Sequence, residues 1–140
     1  MILVDTNVLS ELIRPTPASQ VVAWARSQAL SDIFTTTITE AEILYGLSLL
    51  PEGKRKSVLT TAAEQMLNGG LRGHVLPFDR AAARAYAEIA AGCRRAGRPI
   101  ANADAQIAAI AKAHGALWIA TRNVRDFETC GVALVNPWEA

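Results

Sequence analysis

Short apolar or β-branched runs alternate with helical stretches along the whole chain, and this order restricts the possible folds more than any other feature. ILV (2–4), IFTTT (33–37), HVLPF (74–78), LWIAT (117–121) and VALV (132–135) read as five strands. Between them, helical stretches are expected at 8–13, 18–28, 39–50, 53–67, 80–96 and 101–115. Pro15, Pro17, Pro51, the NGG turn at 68–70, Gly97, Pro99 and Gly115 act as stops. Two strands joined through a helix pair in parallel, because the crossover returns the chain to the end where it began. The expected fold is therefore α/β, a single domain over 1–140 with a five-stranded, mostly parallel sheet covered by helices on both faces. A chain of 140 residues with 51% hydrophobic content is long enough for one core, burying roughly 68% of its unfolded surface.

Composition narrows the function classes. No apolar run reaches membrane-spanning length, and no basic start leads into a hydrophobic signal region, so a cytoplasmic protein without membrane contact is expected. Cys93 and Cys130 lie far apart with no CxxC or Cys/His spacing, which supports neither a disulfide framework nor a zinc site. The net charge is only +1, but its distribution matters more. Setting Asp5, Glu42 and Asp104 aside leaves ten acids against fourteen bases, a modestly basic surface with clusters at Arg94, Arg95 and Arg98 and at Lys54 to Lys56.

The acids carry the chemical signal. Asp5 ends an apolar strand of the kind buried on both faces, at the sheet edge where open α/β folds keep their sites; it is either a helix cap or part of the chemistry. Glu42 stands three residues after Thr39, which fits a capping box as well as a site. Glu40 is about 200° around the same helix, so only one of the two acids can join a given site. Asp104 falls in a first helical turn, with Asn102 the better N-cap. Its spacing from Ile107 and Ala111 puts it on the face the helix buries, and a buried carboxylate needs a partner. If the three acids meet, each pair repels by roughly 3 kcal/mol at about 6 Å and an effective dielectric of about 20. Oxygen ligands without clustered His or Cys select a hard ion such as Mg²⁺ or Mn²⁺, whose usual task is displacement at phosphorus. His74 opens a strand and His114 closes a helix, so neither is expected to bind metal. Neither a nucleophile elbow nor a P-loop is present.

MILVDTNVLSEL, TTTITEAEILYGL, IANADAQIAAIA, ATRNVRDFE and NPW, in this order and nearly end to end, resemble a PIN-domain ribonuclease of the VapC toxin type, close to its FitB-like members. The resemblance implies a PIN fold and a Mg²⁺- or Mn²⁺-dependent endoribonuclease, the toxin of a toxin–antitoxin module. It further implies a VapB-type antitoxin that blocks the site, a homodimer, and operator DNA bound only through the antitoxin complex. It maps the acid cluster to Asp5, Glu42 and Asp104, supported by Thr6, Asn7 and Thr121. Where the family often has a fourth acid, this chain has Asn123, with Asp126 three residues on; one well-held ion is expected rather than two. Arg94, Arg95, Arg98, Arg122 and Arg125 are expected to steady the RNA strand. The alternatives are a catalytically weak PIN-fold module whose acids receive a basic antitoxin segment, and a phosphotransfer protein modified on Asp5. The latter lacks the expected second early acid.

Overall fold

The structure, a computed structural model, describes residues 1–140. Five strands, β1 (Ile2–Val4), β2 (Ile33–Thr36), β3 (Val75–Leu76), β4 (Trp118–Ala120) and β5 (Ala133–Val135), lie in the order β3-β2-β1-β4-β5. All four pairings are parallel, so the expected "mostly parallel" sheet is parallel throughout. The helices are α1 (Thr6–Leu12), α2 (Ser19–Ser27), α3 (Thr37–Ser48), α4 (Lys54–Gln65), α5 (Arg80–Arg95), α6 (Asn102–Ala113) and the short α7 (Val124–Phe127). None of them is long and apolar enough to cross a membrane.

Side-chain alternation along the strands builds two cores. In β1, Leu3 joins Ile89, Ile107, Ile110, Ile119 and Phe127 on one face of the sheet, while Val4 joins Val8, Leu9, Val21, Trp24, Ile43 and Leu47 on the other. The first face is covered by α5, α6 and α7, the second by α1 to α4. Alanines 105, 108, 109 and 111 are fully buried in α6, and their small side chains let that helix lie close against α5.

Several boundaries depart from the sequence reading, each for a local reason. β3 keeps only Val75 and Leu76 of the five residues expected, since Pro77 has no N–H to extend the ladder. α3 begins at Thr37, not Thr39: the Thr36 hydroxyl accepts the Thr39 N–H at 3.0 Å and makes Thr36 the N-cap. α4 does not stop at the NGG turn but passes into one wide turn over Met66–Gly70. The cap of α6 is Ala101, not Asn102, whose side chain instead accepts the Tyr86 hydroxyl at 3.2 Å. Gly97 and Gly115 do end their helices as expected, at φ +75 and +72, where a side chain would be strained. On α3, Leu47 is core, while Tyr45 and, just past the helix, Leu49 point outward, each 67% exposed.

Candidate active site

β1 is the centre of the sheet. The chain leaves it first toward β2 and β3 and later returns to the opposite side as β4, so a crevice opens at the carboxyl ends of β1 and β4. Asp5 and Thr121, the residues immediately after those two strands, stand in it, and both are buried.

Asp5 is N-cap and site residue at once. Its Oδ1 accepts the Val8 N–H at 3.1 Å, and the Asn7 N–H and Thr121 hydroxyl also donate to the carboxylate. Burial nonetheless pushes its pKa above the ordinary range. The three hydrogen bonds oppose that rise, and the charge of Glu42 adds to it. Thr121 has a second duty, accepting the Asn123 N–H at 3.0 Å, which fixes the turn after β4.

Glu42 is exposed on the second turn of α3 and takes no part in a capping box, since the N-cap is Thr36, three residues before Thr39. Its Oε1 is instead held by the Thr6 hydroxyl at 2.6 Å, and the Thr6 and Thr39 hydroxyl oxygens are 3.1 Å apart. A hydroxyl has one proton. With that of Thr6 given to Glu42, Thr39 must donate to Thr6, so a directed relay runs Thr39 to Thr6 to Glu42. Thr39 is fully buried, and this supporting role is one the sequence reading missed by treating it as a cap. The signal was available in TTTITE: with Thr36 as cap, Thr39 falls on the inward face.

Asp104 lies in the first turn of α6, half-buried, as its spacing indicated. Its pKa is raised to about 6, first by burial and then by the charges of Asp126, Asp5 and Glu42 in turn. Asp126, exposed on α7, is thus the fourth acid of the cluster. Asn123 flanks α7 without capping it and faces a neighbouring cleft. No cation answers these charges: the ion pairs of the chain join Arg14 to Glu11, Lys56 to Glu52, Arg98 to Glu128 and His114 to Asp79. The histidines stand apart, with His74 Nδ1 2.8 Å from the Ile33 carbonyl and its ring stacked on Phe34.

The arginines divide. Arg98 and Arg125 line a cavity of about 300 Å³ together with Asp104 and Asp126. Arg98 is pinned there, donating to Glu128 at 3.3 Å and to the Arg125 carbonyl at 3.0 Å. Arg94 and Arg95 are exposed in the last turn of α5, outside that cavity. Arg122 lies on the other flank, over Trp138.

The donor set suits a hard divalent cation. It is all oxygen, it holds two carboxyls above their ordinary pKa, and it has no basic partner. It is not a closed cage, because no three acidic, His or Cys side chains are already arranged around one point. That too suits a Mg²⁺-like ion, which is usually bound by one or two carboxylates and keeps several waters.

Comparison with known proteins agrees with this geometry. The PIN domain family matches residues 2–131. The toxin FitB of Neisseria gonorrhoeae is 46% identical over 138 residues, covering 99% of each chain. VapC ribonuclease Y4jK of Sinorhizobium fredii is 42% identical over 139 residues, again 99% of each. Among solved structures, FitAB bound to an IR36 DNA fragment superposes with a TM-score of 0.90 at 45% identity, over 99% of this chain and 96% of that one. On sequence and fold together, the chain belongs to the PIN-domain family, in the group of the VapC and FitB proteins.

Proposed function

We propose that this protein is the toxin of a toxin–antitoxin module and that it hydrolyses RNA phosphodiester bonds with Mg²⁺ or Mn²⁺. The observation that carries the reading is the gathering of Asp5, Glu42, Asp104 and Asp126 at one sheet edge with none of them ion-paired to a basic side chain. Asp5 and Asp104 would hold the ion, with Glu42 ligating it or acting through water. Once bound, such an ion neutralises charge growing on the phosphate oxygens and makes a water more acidic. The protein's own part is positional. Asp5 is held in one orientation by Val8, Asn7 and Thr121. The Thr39–Thr6 relay occupies Oε1 of Glu42, which leaves Oε2 to accept a proton from the attacking water. Arg98, fixed beside Asp104, steadies the phosphate chain.

The names of the relatives, a ribonuclease and a toxin, support the activity, and the FitAB–DNA complex supports an antitoxin partner through which operator DNA is reached. A cytoplasmic homodimer is part of the same reading. The open spacing of the acids would also let a basic antitoxin segment lie across them, which is how a catalytically weak binding module would use the site. Incubating the purified chain with RNA and Mn²⁺, beside Asp5→Ala and Asp104→Ala, decides between the two. Cleavage lost in both variants supports the enzyme; equal cleavage by all three would mark a contaminant and defeat it.

A further inference from the structure

The NPW run at 136–138 has no part in the acid cluster, yet it builds something beside it. The Trp138 N–H donates to Asn136 Oδ1 at 3.0 Å, Pro137 is buried, and the Trp138 ring packs on the core beneath α1 to α4. The guanidinium of Arg122 lies over that ring, 4.9 Å from its centroid. No carboxylate pairs with Arg122, and its side chain makes no hydrogen bond to the protein. The indole therefore holds the guanidinium in place while leaving its five N–H donors without protein partners. The other arginines near the site differ: Arg98 is fixed but already engaged by Glu128 and the Arg125 carbonyl, and Arg94, Arg95 and Arg125 are exposed with nothing to hold them.

A cleft of about 380 Å³ opens against Arg122, lined also by Asn7, Ser10, Glu11, Arg14, Asn123 and the edge of Trp138; the Glu11 carboxylate there is already taken up by Arg14 and the Ala18 N–H. It adjoins the acid cluster through the backbone. Asn7 is two residues beyond Asp5, and the Asn123 N–H donates to the hydroxyl of Thr121, the residue that follows β4 as Asp5 follows β1. Resting on the ribonuclease reading, we propose that this cleft is a nucleotide subsite, in which a base flanking the scissile phosphate stacks on Arg122 with its edge toward Asn7 and Asn123. The lining matches that ligand. A guanidinium plane is a stacking surface for an unpaired base, amide side chains offer both donors and acceptors to a base edge, and Arg122, which unlike Arg14 has no carboxylate partner, attracts phosphate. A folded protein partner would want apolar area, and Trp138 is the one apolar wall. Trp138 is then a positioning residue, acting through Arg122.

The test uses defined single-stranded RNAs cut in Mn²⁺, with cleavage positions read by end sequencing. Binding of the same RNAs is measured by anisotropy in an Asp104→Asn background. Arg122→Ala should weaken binding about tenfold. It should raise KM with kcat little changed, and flatten the base preference beside the cut. Arg122→Lys should recover part of the affinity but not the preference. Trp138→Phe should keep both, and Trp138→Leu should behave as Arg122→Ala. Because Trp138 packs on the core, the Arg122 variants, checked for an unchanged melting temperature, decide the matter alone. Unchanged binding, KM and cut positions in Arg122→Ala would overturn the proposal, as would an effect confined to capture of an antitoxin peptide. If the wild type cuts nothing while RNA binding still depends on Arg122, the ribonuclease reading falls and the subsite stands.

Discussion

Helix α1 has a buried acid at each end, and the two are treated in opposite ways. Glu11 is fully answered: its Oε1 receives Arg14 at 3.4 Å and its Oε2 receives the Ala18 N–H at 3.0 Å, which ties α1 to the start of α2. Asp5 receives only neutral donors and faces Glu42 and Asp104. Burial is common to both, so burial does not distinguish structure from chemistry. What does is the sign of the neighbours: a carboxylate among donors consolidates a fold, and one among carboxylates costs it stability until a cation arrives.

That contrast is open to test by exchanging losses. Asp104→Asn should lower RNA cleavage by more than the roughly 10- to 100-fold typical of a group that only supports a metal ligand. It should also raise the melting temperature of the metal-free chain, because it removes an unanswered charge. Glu11→Ala should do the reverse. It strands the Ala18 N–H and costs on the order of 1–2 kcal/mol, with the kcat of the folded protein unchanged. Differential scanning fluorimetry alongside cleavage assays separates the two, and a destabilised, merely misfolded Asp104→Asn would refute the distinction. Thr6→Val comes next. It keeps the shape but breaks the relay to Glu42, and kcat should fall about tenfold, with Thr6→Ser restoring it. If Val and Ser behave alike, Glu42 does not depend on the relay.

The pH dependence of stability follows from the same charges. Asp5 and Asp104 have raised pKa values, Asp104 to about 6, so the native state binds protons more tightly than the unfolded chain does. Between the ordinary carboxylate value near 3.8 and the raised one near 6 for Asp104, the native state therefore holds more protons, and stability falls as pH rises. Above about 6 the penalty is complete; below about 3.8 it is gone. Since Asp104 is only half-buried, solvent screening reduces its share to on the order of 1 kcal/mol, a factor of about five. Metal-free protein should thus melt higher at pH 5 than at pH 7.5, and saturating Mn²⁺ should abolish the difference. A melting temperature that climbs with pH across this window would contradict the assignment of unanswered charge.

The sequence disclosed the architecture because its information was local. Five β-branched runs and the prolines and glycines at the breaks act within a few residues, and all but the NGG turn at 68–70 reappear in the fold as expected, with Asp79 capping α5. Asp104 was readable for the same reason, from spacing along one helix. Glu42 was ambiguous because T-x-x-E fits two registers a turn apart. The choice of Thr36 over Thr39 as cap belongs to the chain's exit from β2, where Thr35 also bonds the Val4 carbonyl at 3.0 Å. Asp126 was read only as a candidate near Asn123; that its charge bears on Asp104, and that Arg122 lies over Trp138, was not legible. Each depends on where α7 and the last turn come to rest against elements distant in the chain.

Asn123 gives the smallest effect and the finest test of the cluster's charge. It begins α7 next to the turn that Thr121 holds, exposed and capping nothing, while Asp126 one turn later supplies the fourth charge felt at Asp104. A neutral amide there limits the attraction for a second ion, so calorimetry with Mn²⁺ should find one well-held ion per chain. Asn123→Asp adds an acid beside Thr121 and should bring in a second, weaker ion. Cleavage should change only a few-fold, since a charge at that exposed position is screened by water. The same substitution places a negative charge at the N-terminus of α7, where the backbone dipoles favour it, which should offset part of the added repulsion and leave the melting temperature close to that of the wild type. Two equally tight ions in the unmodified chain would mean that Asp126 already does the work of the missing acid. The cluster would then be more closed than its side chains now stand.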